Sequence, residues 1–218
     1  KSYLFILSFL IVFSCKKSET VKEEGVPSSI ETNVDSIKDF REFKVLDSKY
    51  INVEVLWAPF NKDLEDFSED TYNRLKPLIL ELDIPTLQKE INGGLLSYEN
   101  LVKFYLYRIR KFDRANELSL NSIIALNPNI ISEARQKDRE LRNRMAKRPL
   151  FGMPILLKDN INTSGMPTTA GAVALQNNKN TEDAFIVKQL KQQGALILGK
   201  ANLSEWANIR ADNSTSGW

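Results

Sequence analysis

With 218 residues, 42% of them hydrophobic and 27% charged, the chain has ordinary globular composition and length enough for a substantial core without disulfide or metal staples. A net charge of +2 is too small to argue for a nucleic-acid surface, and no basic stripe interleaved with aromatics runs through it. Histidine is absent, which excludes Ser-His-Asp and Cys-His catalysis and ordinary His-based zinc sites within this segment, and one cysteine allows no internal disulfide.

The chain starts at Lys1 without a methionine, so the true N-terminus is read as clipped. Lys1 precedes an apolar run, Tyr3 to Phe13, that is shorter than the roughly 20 residues a spanning helix needs. A positive start, a short apolar core and a small residue before a break make a secretory signal pattern. Val12-Phe13-Ser14-Cys15 resembles the lipobox of bacterial lipoproteins, in which the cysteine becomes the lipidated first residue of the mature chain. The expectation is a signal peptide over residues 1–14, lipidation at Cys15 and a polar, flexible tether over 15–39. This describes an exported, membrane-anchored lipoprotein of the bacterial periplasm or cell surface. A plain N-terminal anchor with a chance cysteine is the alternative.

Tyr50 to Trp57 alternates Ile51, Val53, Val55 and Trp57 against Asn52 and Glu54, which predicts a half-buried strand. Ser68 is placed to cap a short helix through Leu75, which Pro77 breaks or restarts. From Ile84 a helical hairpin is expected. Pro85 suits its first turn, Gly93-Gly94 its stop, and Ser97 caps a second helix carrying Leu101, Tyr105, Ile109 and Phe112. Ile123-Ile124-Ala125-Leu126 predicts a buried strand, and a long helix follows Pro128 with Ile131, Ala134, Leu141 and Met145 on one stripe. Its basic residues are diluted by Glu133, Asp138 and Glu140 and read as a solvated face.

Ile155 to Leu157 and Ala195 to Leu198 are continuous apolar runs of the kind that form parallel strands covered on both faces. Between them Glu182 to Gln193 has helical spacing at Phe185, Ile186, Gln189 and Leu190, with Asn180 or Thr181 as cap and Gly194 as stop. Together these predict a right-handed βαβ unit with Lys158 at the carboxyl end of its first strand, where open α/β sheets place their chemistry. Taken alone, that lysine reads either as a catalytic group or as a structural partner of Asp159.

The full stretch Phe151 to Ala172, FGMPILLKDNINTSGMPTTAGA, closely resembles the lysine-bearing motif of the amidase signature family, serine hydrolases that cleave carboxamides without histidine. The resemblance begins near Ile84 and runs to Trp218, and GKANLSEWA from Gly199 to Ala207 also fits it. It implies an α/β fold in which a mixed β-sheet core is flanked by helices, truncated here, with residues 40–218 as the N-terminal portion of a single amidase domain. It also implies a Ser-cisSer-Lys triad in which Lys158 is the general base. A lysine works as a base only when neutral. Its ordinary pKa is about 10.4, and lowering that by roughly three units costs about 4 kcal/mol, which burial and hydrogen bonding can supply.

Asn160, Thr169 and Gly171 are placed by the resemblance in the active-site neighbourhood, and Lys200 is read as structural. Both serines of the triad belong to a Gly/Ser-rich block downstream. Ser214 and Ser216 lack that context, so residues 15–218 alone are expected to be inactive and poorly stable. The implied partners are a small-molecule or peptide amide and, through the anchor, a membrane. Nucleic acid, metal and cofactor are not implied. Asn213 to Trp218 leans towards the peptide-amidase-like branch. Two further readings stay open: the amidase component of a tRNA-dependent amidotransferase, against which a signal peptide argues, and a non-catalytic binding lipoprotein on the same fold.

Overall fold

A computed structural model of the protein describes residues 49–114, 119–143, 148–209 and 214–218. The chain divides into two units, Lys1–Ser36 and Ile37–Trp218, and all that follows concerns the second. The signal segment, Cys15, the tether and Met145 lie outside the described residues.

Five helices precede or flank the first strands. α1 spans Val53–Trp57, α2 Glu69–Leu75, α3 Ile84–Asn92, α4 Tyr98–Phe112 and α5 Ile130–Arg142. Local capping explains most of their starts. Ser68 accepts from Thr71 N–H, Asp83 from Thr86 N–H and Ser97 from Asn100 N–H, each satisfying a donor the helix itself leaves unpaired. α4 gains a second, long-range cap, because Asp138 on α5 accepts from the backbone of Tyr98 and Glu99 at 2.9 and 3.0 Å. At its other end the buried Asp113 accepts from Ser122 N–H at 2.7 Å and Ile123 N–H at 3.1 Å, which ties helix end to strand start.

The strand expected over Tyr50 to Trp57 is not formed; that segment carries α1. Asn52 accepts from Val55 N–H at 3.0 Å and starts a helical turn, and Pro59 sits at the start of the 3-10 turn that continues it. Only Trp57 of α1 is buried, so the alternating valines face solvent and no sheet face exists for them to cover. A segment this short does not let a period of two exclude a capped helical turn.

The sheet has three described strands, β1 (Ile123–Leu126), β2 (Pro154–Lys158) and β3 (Leu196–Ala201), in the order β1-β3-β2. β2 and β3 run parallel and are joined through helix α6 (Phe185–Gln192), whereas β1 is antiparallel to β3. This is the mixed sheet flanked by helices that the sequence implied. Leu196 and Leu198 of β3 enter the large core beneath α1–α5, with Leu101, Phe104, Leu106 and Ile130, while Ile197 enters a smaller cluster with Leu157, Met166 and Val187. β3 is therefore covered on both faces. β2 is covered on one face only: Leu157 is buried but Leu156 is 40% exposed, and among the described residues β2 is an edge strand with one neighbour.

α6 begins later than Asn180 or Thr181 would set it. Its N-cap is Ala184, without a side-chain cap, since the nearby Asp183 carboxylate is engaged elsewhere. The stripe also differs from expectation: Val187 is fully buried, and Phe185 and Ile186 face outward.

Candidate active site

β2 delivers Lys158 at its carboxyl end, and the chain then turns through 159–172 back across the sheet. Strand alternation decides which side chains face which way. Ile155 and Leu157 pack with the Met166–Val187–Ile197 cluster, so Leu156 and Lys158 face the opposite, exposed side. Among the described residues the Lys158 ammonium has no hydrogen bond or ion pair. Asn160 is likewise exposed beside it.

Asp159 turns inward and is 1% exposed. Its Oδ2 accepts from Thr169 N–H at 2.9 Å, from the Thr169 hydroxyl, and more distantly from Gly171 N–H at 3.5 Å. Its backbone carbonyl takes the Ala170 N–H at 3.1 Å, so the loop wraps the aspartate from both ends. Thr169 and Gly171 therefore meet at one carboxylate next to Lys158, whereas Asn160 stands apart from them. The wrap needs two successive left-handed residues, Ala170 at φ 51° and Gly171 at φ 73°. At Gly171 a β-carbon would lie 2.6 Å from the Leu203 carbonyl, so the close crossing over 203–204 requires glycine.

The other carboxylate oxygen of Asp159 lies 3.3 Å from Lys200 Nζ, a pair in which both side chains are almost fully buried. Lys200 also donates to Ile161 O at 2.8 Å, Thr168 Oγ1 at 2.9 Å and Pro167 O at 3.3 Å. Burial pushes the Lys200 ammonium below the ordinary lysine range, and the Asp159 carboxylate opposes that shift. A cage built of two carbonyls, a carboxylate and a hydroxyl fits the charged, donor-only form, so Lys200 is a structural cation rather than a base.

Lys200 reaches this face through a register irregularity. Ile155 pairs with Ile197 but Leu156 pairs with Gly199, so β3 carries one extra residue opposite β2. The bulge reverses side-chain parity and sets Lys200 on the face of Ile197 and Leu157 rather than that of Leu196 and Leu198. Sequence reasoning could not find this; the pairing it considers for Asp159 is with Lys158.

Segment 214–218 closes over the same loop. Gly217 N–H donates to Gly171 O at 2.7 Å, Trp218 Nε1 to Thr169 Oγ1 at 2.9 Å, and Ser216 Oγ to Asn202 Oδ1 at 2.6 Å. A cavity of about 740 Å³ lies between α5, the loop at 163–166 and the start of β3, away from Lys158. Its charged lining is already paired, Glu133 with Asn127, Lys137 with Glu140 and Lys191 with Asp183. Among the described residues no three His, Cys, Asp or Glu side chains gather so as to hold a metal ion.

The chain resembles known proteins over part of its length. A putative amidase of Schizosaccharomyces pombe is 37% identical over 136 residues, covering 62% of this chain and 23% of that protein. A glutamyl-tRNA(Gln) amidotransferase component from Lawsonia intracellularis is 37% identical over 132 residues, covering 56% and 26%. Among solved structures, an amidase family protein from Bacillus anthracis matches with TM-score 0.69 and 40% identity, over 78% of this chain and 34% of that one. The peptide amidase of Stenotrophomonas maltophilia matches with TM-score 0.59 and 45% identity, over 64% and 28%. The chain thus spans roughly a quarter of the length of the relatives it matches. The Amidase family model matches residues 100–217, from α4 through the lysine loop to the segment that closes over it, and the chain belongs to that family.

Proposed function

We propose that this chain is the lysine-bearing part of an exported, lipid-anchored enzyme that hydrolyses a carboxamide to a carboxylate and ammonia or an amine. Lys158 serves as general base of a Ser-cisSer-Lys triad, and both serines come from a Gly/Ser-rich block outside residues 1–218. The observation that carries this reading is the division of labour at the strand end. Asp159, the one carboxylate adjacent to Lys158 in sequence, is occupied by Lys200, Thr169 and Gly171, which leaves the Lys158 ammonium without a structural partner among the described residues. A serine nucleophile splits amide cleavage into acylation and deacylation, and a positioned base assists each proton transfer.

In the full-length enzyme, Lys158→Ala should lower the rate of ammonia or amine release by ~10²–10⁴-fold, the usual contribution of a general base. A variant that hydrolyses the same amides at the wild-type rate removes Lys158 from the mechanism. The similarity to a peptide amidase directs the first substrates to C-terminal peptide amides.

The similarity to a glutamyl-tRNA(Gln) amidotransferase component supports a second reading, action within a tRNA-dependent complex. The Val12-Phe13-Ser14-Cys15 pattern favours the exported enzyme, because a tRNA-dependent reaction needs ATP and tRNA, which an exported protein does not meet. Cells fed a labelled fatty acid should label the wild-type protein and leave Cys15→Ala unlabelled; label that persists in the variant, or is missing from both, ends the lipoprotein reading.

A further inference from the structure

We infer that Thr169 is a positioning residue for Lys158, its hydroxyl serving as the joint that fastens the lysine loop to the strand end and to the segment ending at Trp218. This rests on the amidase reading and adds to it a group outside the triad.

A threonine hydroxyl has one proton to give and lone pairs to receive. Here it receives the Trp218 indole N–H at 2.9 Å. An indole N–H can only donate and an ionised carboxylate can only accept, so the hydroxyl proton is directed to Asp159 Oδ2. The direction of the chain is thereby fixed: Trp218 to Thr169 to Asp159, with Lys200 closing it at the other carboxylate oxygen. Thr169 is 4% exposed and Asp159 1%, so water does not substitute for a missing partner at ordinary cost.

The chain bears on Lys158 through the backbone. Asp159 is its immediate neighbour, and Asp159 N–H donates to Ala201 O at 3.0 Å, continuing the β2–β3 ladder one residue past the lysine. The residues on both sides of Lys158, Leu157 and Asp159, are buried and held, so the lysine backbone is clamped while its side chain faces outward. The same loop carries Gly171, whose carbonyl receives Gly217 N–H at 2.7 Å. The hydroxyl of Thr169 thus couples the position of the lysine to that of the chain leading out of this region.

The test uses the full-length enzyme and three variants, Thr169→Val, Thr169→Ser and Lys158→Ala. Valine keeps the shape and removes the hydroxyl; serine keeps the hydroxyl. Thr169→Val should lower kcat roughly 10- to 100-fold with little change in KM, the penalty expected when a reacting group is slightly misplaced. Thr169→Ser should recover most of that loss. Amide hydrogen exchange in 159–171 should rise in Thr169→Val and stay near wild type in Thr169→Ser. Wild-type kcat in Thr169→Val, or an equal loss in both Thr169 variants, overturns the inference. Lys158→Ala separates the two failures: if it retains wild-type activity the general-base reading falls, and the positioning role falls with it. If it is inactive while Thr169→Val is normal, only the positioning role is lost.

Discussion

Lys158 and Lys200 occupy the ends of neighbouring parallel strands, where Lys200 pairs with Leu157 and Lys158 with Ala201. At the β3 end the ammonium is fully buried among Asp159, Thr168 and the carbonyls of Ile161 and Pro167. At the β2 end it is exposed and has no polar partner among the described residues. Both are lysines near the carboxyl ends of parallel strands, but they stand one register step apart and on opposite faces, and the surroundings of each face separate them. The buried lysine is committed to holding a loop and pairs with the Asp159 carboxylate, which turns inward, away from Lys158. The structural work at this strand end falls to Lys200, and Lys158 has no part in it among the described residues.

Substitution separates the two ends by what is lost. Lys158→Ala should remove the ~10²–10⁴-fold contribution of a base. It should also leave the urea midpoint of the full-length protein nearly unmoved, since exposed substitutions usually stay within about 0.5 kcal/mol. Lys200→Met should do the reverse to stability. It strands the Asp159 carboxylate in the interior, a change that typically costs about 3–5 kcal/mol. A Lys200→Met protein as stable as wild type would mean that the buried pair is not the support of the loop, and the contrast between the two ends would collapse.

Much of this arrangement can be read from local sequence. Ser68 and Ser97 announce their helices because a cap acts on the turn it touches, and the apolar runs ending at Lys158 and leading to Lys200 announce parallel strands. The resemblance to amidases points to the lysine loop, Thr169 and Gly171 without any geometry. The bulge between β2 and β3 is not legible. It depends on how two strands far apart in sequence fall into register, and that register decides whether Lys200 faces the helical core or the loop. The partner of Asp159 follows from it and is equally hidden. α1 escapes for a related reason: alternation over Tyr50 to Trp57 means a strand only where a neighbouring strand exists, and here the Asn52 cap has no such competitor.

A smaller effect tests the far side of the same loop. Asp183, just before α6, accepts from Ser164 N–H at 2.8 Å, Ser164 Oγ at 3.0 Å and Thr163 Oγ1 at 3.1 Å, and pairs with Lys191 at 2.7 Å. Burial raises its pKa, but the Lys191 ammonium and the Ser164 donors outweigh that and bring it down to about 2. An unfolded aspartate titrates near 3.9, so the folded state binds this proton less readily than the unfolded one. The group therefore contributes stability that is fully present above about pH 4 and lost as pH falls through about 2. The ceiling on that contribution is about 2–3 kcal/mol. Other carboxylates titrate alike in wild type and Asp183→Asn, so the difference between their urea midpoints isolates this one. That difference should be largest at neutral pH and shrink through the acid range. A difference independent of pH would show that Asp183 holds the loop by its shape and not its charge, leaving the electrostatic support of the loop to the Asp159–Lys200 pair.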